Sequence, residues 1–263
     1  MRASFSGTLV VGLARVGLKA HPVAVEEPED GNLHWLHRPC KARLVQSYTC
    51  GSCGSVAPKE ERVKGIEHEG QWLLFEEEEL RALEVPAHSD WPLETVVPLS
   101  DINLLWTERF YYLFPATDQD VRPYMLFSQT LATRQEGGVF TFTTRRRARL
   151  GIIRPGDPGL VLHVLRFAEA VRSCQDYGVV TTPITLTQKE LQLAKKLLEA
   201  PWLRTPFRYQ SYVDPTKERL TDQVQAKLSG KAVKAMPPSV KAPPAQSLIK
   251  MLELSIARAH GKK

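Results

Sequence analysis

Apolar and polar residues alternate along residues 5–17, a period of two that predicts a strand. Gln71–Phe75, residues 94–99, residues 109–114 and the LVLHVLRF run from Leu160 read as further strands, with Pro98 confining its strand to an edge or a bend. Between them the period lengthens towards that of a helix. Glu76–Leu83 opens on acids and reads as a short surface helix, and Asp118–Thr133 follows Thr117 as an amphipathic helix interrupted early by Pro123. Thr187 and Glu190 form a capping-box pair, which starts a helix carrying Leu191, Ala194, Leu197 and Leu198 on one face and ending near Pro201. Pro215–Leu228 is a second, basic helical segment. Ser229–Gln246, rich in Lys, Ala and Pro, reads as a semi-extended linker to a last helix over Ser247–Ala259. That last helix is marginal alone, so its apolar face needs a partner. Short strands interspersed with brief helices predict a mixed α+β fold built on a β-barrel-like core with helical additions.

One stretch departs from ordinary amphipathic patterning. In Thr141–Arg154, after Gly137-Gly138, four arginines (Arg145, Arg146, Arg147 and Arg149) fall within five residues. Read as one extended run, Val139, Thr141, Thr143, Arg145, Arg147 and Arg149 share one face, while Phe140, Phe142, Ala148, Leu150 and Ile152 take the other. Residues two apart on a strand are roughly 6–7 Å apart, close to two steps of a nucleic-acid strand at about 3.4 Å per charge. Such a face could follow consecutive phosphates. A solvated charged strand is the plainer reading.

Charge gives this run its context. The 263 residues carry a formal net charge of +6, and residues 214–263 hold ten Lys/Arg against four Asp/Glu, which accounts for all of it. Residues 1–213 are net neutral, so a basic surface there requires segregation from acid runs such as Glu26–Asp30 and Glu76–Glu79. With 43% hydrophobic residues the chain can bury a substantial core, and no run reaches the ~18 apolar residues of a membrane span. The N-terminus, interrupted by Arg15, does not read as a signal peptide.

Three of the four cysteines cluster, which suits a reducing compartment better than a secreted disulfide scaffold. His37-x2-Cys40 and Cys50-x2-Cys53 are two ligand pairs separated by a short hairpin-like stretch, a spacing suited to tetrahedral structural zinc. His34 could replace His37, the cluster could be reduced and empty, and the Cys-x-x-Cys pair could be redox active. The sequence contains no P-loop, no nucleophile elbow and no HExxH. An enzyme therefore finds little support; a nuclease using His163 or His68 with nearby acids is the competing class, and a single-strand binder using aromatics is a third.

The segments FSGTLVVGLARVGLKAHPV, HWLHRPCKARLVQSYTCGSCGSVAPKEERVKGIEHEGQWLLF, FYYLFP, RRRARLGIIRP, LVLHVLRFAEAVR and LTQKELQLAKKLLE occur in the order found in prokaryotic Ku, the DNA-end-binding family of non-homologous end joining. The chain resembles that family over nearly its whole length. The resemblance implies a β-barrel core with arms that dimerise into a ring around double-stranded DNA ends, a homodimer without catalytic activity, and a cytoplasmic, nucleoid-associated protein with no membrane partner. It places the core at residues 1–228, the linker at 229–246 and a short partner-binding helix with a flexible basic end at 247–263. By resemblance, Arg145, Arg147 and Arg149, assisted by Arg146, Arg154 and Arg134, would line the ring and touch the DNA backbone. The final SLIKMLELSIARA is similar to the tail that contacts a multifunctional DNA repair ligase, which makes Leu248, Leu252 and Leu254 contact residues. No cofactor is required; structural zinc on His37, Cys40, Cys50 and Cys53 is compatible with the family, many of whose members lack some or all of these cysteines.

Overall fold

A computed structural model of the chain describes residues 2–24, 33–86, 88–157, 159–178, 185–201, 203–230 and 248–260, with nothing said of the side chains of Leu248 or of residues 258–260. Most of the expected linker, from residue 231 on, lies outside the described residues. These residues group into two compact units, one up to Ser173 and one from Cys174 onward.

The first unit is built on a closed seven-stranded barrel. Strands β1 (Phe5–Val11) and β2 (Ala14–Pro22) form a hairpin; β3 (Lys64–His68) and β4 (Gln71–Phe75) form a separate two-stranded ribbon; α1 (Glu77–Ala82) follows. The chain then supplies β5 (Asp90–Pro98), β6 (Thr107–Pro115), α2 (Asp118–Arg134), β7 (Glu136–Thr144), β8 (Arg147–Pro155) and β9 (Leu160–Leu165). The barrel order is β1-β2-β6-β9-β8-β7-β5, closed by a parallel pairing of β5 with β1. Closure leaves no free sheet edge.

Alternation along each strand sends one set of side chains inward. Val16 and Leu18 of β2, Leu113 of β6, Phe140 and Phe142 of β7, Ile153 of β8 and Leu160 and Leu162 of β9 are buried there. Trp91 lies at the centre, stacked on Phe140 with ring centroids 5.5 Å apart. It crosses β1 at Gly7, where a Cβ would overlap its indole ring. One end of the barrel is covered by α2. Tyr124 Oη donates to the Leu113 carbonyl (2.8 Å) and accepts from the Leu160 amide (2.9 Å), tying the helix to β6 and β9. Asp120, which caps the helix with Thr117, also accepts from the Gly17 amide at 2.7 Å. These bonds hold the Asp120 carboxyl below the usual range, Thr117 contributing most. Three to four charged or polar bonds to one carboxylate fix the helix start firmly.

Several expectations need correction. Residues 5–17 are not one strand but a hairpin, turning at Gly12-Leu13 with Gly12 at φ +58°. The helix runs through Pro123, whose missing N–H falls in its early turns. Gly137 and Gly138, which precede the arginine run, are not a break in the chain's structure: both are buried inside β7, where a Cβ on Gly137 would sit 3.0 Å from Ile152. A close approach of neighbouring strands explains the pair.

Residues 33–86 differ in kind. Not one is buried, and only Ala57, Phe75, Leu80 and Glu84 are half-buried. Trp35, Val45, Tyr48, Ile66, Trp72 and Leu74 are all exposed. We call this segment the arm.

The second unit is helical: α3 (Gln188–Leu198), α4 (Pro215–Leu228) and α5 (Leu248–His260). Thr187 Oγ1 accepts from the Glu190 amide and the Glu190 carboxylate accepts from Thr187, completing the expected capping box. Asp214 caps α4, with Pro215 at its first position.

Candidate nucleic-acid interface

The arginine run is a hairpin, not one strand. β7 and β8 pair from Gly138↔Ile153 to Thr144↔Arg147, and Arg145 and Arg146 form the two-residue tip at φ +47° and +62°. Positive φ at both central residues is the type I′ requirement, which Asn-Gly ordinarily meets. Each non-glycine residue there costs about 1–2 kcal/mol.

The turn overturns the face assignment. Since Phe142 pairs with Arg149, the odd residues of β8 share the inward face with the even residues of β7. Arg147 and Arg149 therefore sit at the barrel rim on the side of Phe140 and Phe142, while Val139, Thr141 and Thr143 face out. Leu150 and Ile152 face out as well. They meet Ile102, Leu165, Val97 and Leu99 in a second small core on the outside of the barrel. An apolar cover on both sides of one hairpin is what disguised the turn in the sequence pattern.

The hairpin rises from the α2-covered end to the opposite, open end, because β7 begins one residue after the helix cap and runs to the tip. Nine residues span roughly 27–30 Å. Arg145 and Arg149 line an open cavity of about 1030 Å³ at that mouth, together with Phe5, Tyr111, Tyr112 and Glu108. Arg134, on the last turn of α2, and Arg154, at the far end of β8, lie a barrel height away. The six arginines expected to act together are thus four plus two.

Ion pairs divide them again. Arg146 Nη1 donates to both oxygens of Glu84 (3.0 and 2.8 Å), and Arg149 Nη1 to Glu108 (3.0 Å). Arg134 forms a two-pronged pair with Glu136 at 2.6 and 2.9 Å, which raises the guanidinium pKa and lowers that of the carboxyl. Arg154 is half-buried, with Nε 3.4 Å from the Pro155 carbonyl. Arg145 and Arg147 form no ion pair and no side-chain hydrogen bond among the described residues, and both are exposed. They are the uncommitted charges of the cluster. Glu84 and Glu108 were not legible as counter-charges, since 62 and 41 residues separate them from their arginines, whereas Glu136 lies only two residues from Arg134.

Arg146 also accepts at its carbonyl from the Val85 amide (3.2 Å), so the tip is tied to the end of the arm. Within the arm, the two ligand pairs adopt one backbone design. His37 N bonds to Ala42 O and Lys41 N to His37 O; Cys50 N bonds to Ser55 O and Gly54 N to Cys50 O. Lys41 and Gly54, each following the second ligand, have φ +58° and +72°. His37 Nδ1 lies 3.1 Å from Cys40 Sγ, and bonds from Ser55 foremost, with Cys50, lower the Cys53 thiol to about 7. The donors fit a metal pairwise. Among the described residues no three His, Cys, Asp or Glu side chains come together as one ligand group, so the four are two knuckles and not one assembled centre.

His163, the base of the competing nuclease reading, is buried on the outer face of β9. The ring of Phe110 packs on it at 4.5 Å, and Nδ1 is 3.4 Å from Thr107 Oγ1. Burial, with Arg154 nearby, pushes its pKa down to about 4. Among the described residues no carboxylate bonds or pairs with it, and His68 is exposed at the end of β3. Of the tail leucines, Leu252 is half-buried and Leu254 exposed; two residues apart on a helix they lie about 200° apart, so they cannot form one contact face. No helix among the described residues is long and apolar enough to cross a membrane.

Comparison with known proteins agrees with the barrel. Residues 12–193 match the Ku70/Ku80 beta-barrel domain. The chain is 26% identical to the non-homologous end joining protein Ku of Archaeoglobus fulgidus, covering 89% of this chain and 90% of that protein. It is 27% identical to the protein of that name from Bacillus subtilis (98% and 82%) and 27% to that from Desulfitobacterium hafniense (100% and 90%). A closed barrel carrying an arginine hairpin at its open mouth, matched in sequence across most of the chain, places this protein in the Ku family.

Proposed function

We propose that the chain binds the ends of double-stranded DNA in non-homologous end joining, as a ring-shaped homodimer without catalytic activity, and recruits a DNA repair ligase through its C-terminal helix. The observation that carries this reading is the hairpin tip. Two arginines occupy left-handed positions that Asn-Gly would fill without strain, and Arg145 and Arg147 have no counter-charge among the described residues. Backbone strain kept at an exposed tip is typical of positions retained for function. Exposed, unpaired guanidinium groups suit phosphate contacts, which carry no base information and so tolerate any break sequence.

The arm supports the dimer. A ribbon of two strands with apolar side chains on both faces is marginal by itself, and its exposed tryptophans need a cover. A second copy of the same arm supplies a self-complementary one across a two-fold axis. The paired knuckles support a structural zinc in each arm, held by His37, Cys40, Cys50 and Cys53 once the pairs close on each other. The metal would contribute cross-linking energy where a core is lacking.

The salt dependence of binding tests the arginine assignment. Each phosphate contact contributes a slope of about −0.9 in log K against log salt. The double variant Arg145→Ala/Arg147→Ala, removing four charges per dimer, should reduce the slope by up to about 3.6 units, equally on unrelated sequences. Arg146→Ala/Arg149→Ala, whose charges are already paired, should reduce it by much less. Equal effects of the two variants would refute the division.

A further inference from the structure

The second unit contains a contact that changes how its tail can work. Helix α5 packs on α3. Along α5 the half-buried residues are Ile249, Leu252 and Ile256, spaced i, i+3, i+7; along α3 the half-buried apolar residues are Leu193, Ala194 and Leu197, with Glu190 one turn before them. Each set is a single stripe at helical period. Lys189 Nζ, in the first turn of α3, lies 3.2 Å from Glu253 Oε1 beside the α5 stripe. What α5 leaves to solvent is a narrower face with Met251 and Leu254.

From this we infer that α3 is the resting dock of the C-terminal helix, and that a partner which recruits the protein through α5 must displace α3 first. The inference rests on the proposed recruitment role of the tail. Three observations carry it. The stripe bearing Leu252, the residue a helix-binding groove would take as an anchor, is half-buried in the helix that packs on α3, whose own half-buried apolar residues form one stripe. A thirteen-residue helix is marginal in water, so an ordered α5 implies a surface that holds it. The two stripes belong to one chain, so docking is intramolecular and does not weaken on dilution. A competitor therefore meets a tail whose binding-competent state is a minor fraction, and its apparent dissociation constant rises by the inverse of that fraction.

The dock explains why a surface helix with three apolar residues in its stripe need not aggregate. It also assigns two roles to the leucines. Leu252 is the shared anchor for which α3 and the partner compete, and Leu254 is free in the docked state and can be touched first.

The experiment uses the full-length protein with two readouts. Amide hydrogen exchange over residues 249–257 reports docking, and binding to the purified ligase of the same repair system reports recruitment. Leu193→Asp breaks the dock without altering α5; exchange should speed up at least tenfold, and the apparent dissociation constant for the ligase should fall by a similar factor. Because Leu193→Asp could unfold the helical unit, the charge pair provides an independent route. Lys189→Glu should give a smaller acceleration, and Lys189→Glu/Glu253→Lys should reverse it. Unchanged exchange in Leu193→Asp, or no reversal by the charge swap, would overturn the dock. Faster exchange with weaker ligase binding would make α3 part of the ligase site and overturn the competition. Faster exchange with no ligase binding by any variant, wild type included, leaves the dock standing and refutes the recruitment role.

Discussion

The barrel and the arm belong to one compact unit yet solve the burial problem in opposite ways. The barrel closes on itself and stacks Trp91, Phe140 and Phe142 in its interior. The arm, of comparable hydrophobic content, buries nothing: Trp35 is 83% exposed and Trp72 67%. A domain that leaves its largest side chains in water is only half of a folded object. The barrel is specified by contacts within the chain, whereas the arm leaves its apolar side chains exposed. The arginine hairpin sits where the two meet, with Arg146 bonded to Glu84 and Val85.

The largest expected effect separates the two regions. Trp91→Ala empties the centre of the barrel and should cost about 3–5 kcal/mol, read as a shift in the denaturation midpoint. Trp72→Ser in the arm should leave that midpoint almost in place and instead convert the dimer to a monomer in sedimentation velocity. A barrel weakened equally by both, or a dimer indifferent to Trp72, would dissolve the distinction.

Metal content sharpens it further. Protein purified without chelator should carry one zinc per chain by elemental analysis, and Cys50→Ala should lose it together with arm order while the barrel melts unchanged. A metal content near zero in a normally folded dimer would leave the knuckles to hydrogen bonds alone.

A smaller effect lies at the tip. Replacing it with an ordinary type I′ pair, Arg145→Asn/Arg146→Gly, should stabilise the protein by about 1–2 kcal/mol and weaken DNA binding at the same time. Opposite signs in the two assays are the mark of residues kept for charge against local preference. A variant that loses stability would show that the strain is absent or that the Arg146–Glu84 pair outweighs it.

Much of the architecture was legible in the sequence for identifiable reasons. Thr187 and Glu190, Asp214 and Pro215 announce their helices because capping is local chemistry. β9 and β4 were visible from runs bounded by turn residues. The hairpins were not. At Gly12-Leu13 the inward positions change from odd (Leu9) to even (Val16, Leu18), a phase shift that a single alternating run conceals, and Arg145-Arg146 has none of the residues that usually mark a tight turn. The outer core around Ile102 and Ile152 then makes the wrong face of β8 look buried for the wrong reason. Charge was misread for a different cause: a run of arginines shows its positive charges, whereas the glutamates that neutralise Arg146 and Arg149 lie far away in the chain. Charge is not cleanly segregated: the Glu77 carboxyl, in the expected acid run, is held below the usual range by Arg81 foremost and also by Arg146, and the sequence alone could not divide free from committed arginines. Leu252 and Leu254 illustrate the remaining limit, since a list of apolar residues in a tail does not say which of them a neighbouring helix will cover.

A closed ring, as proposed, admits duplex DNA only at an end. The most direct test compares one duplex sequence in linear and covalently closed circular form, at the same salt concentration, with the wild-type protein. The linear form should be retained strongly and the circle poorly, and blocking both ends of the linear form after loading should trap the protein against a high-salt wash. Equal affinity for circle and line, with free loss from the blocked duplex, would contradict a closed ring and leave the arginine tip as an open phosphate-binding surface.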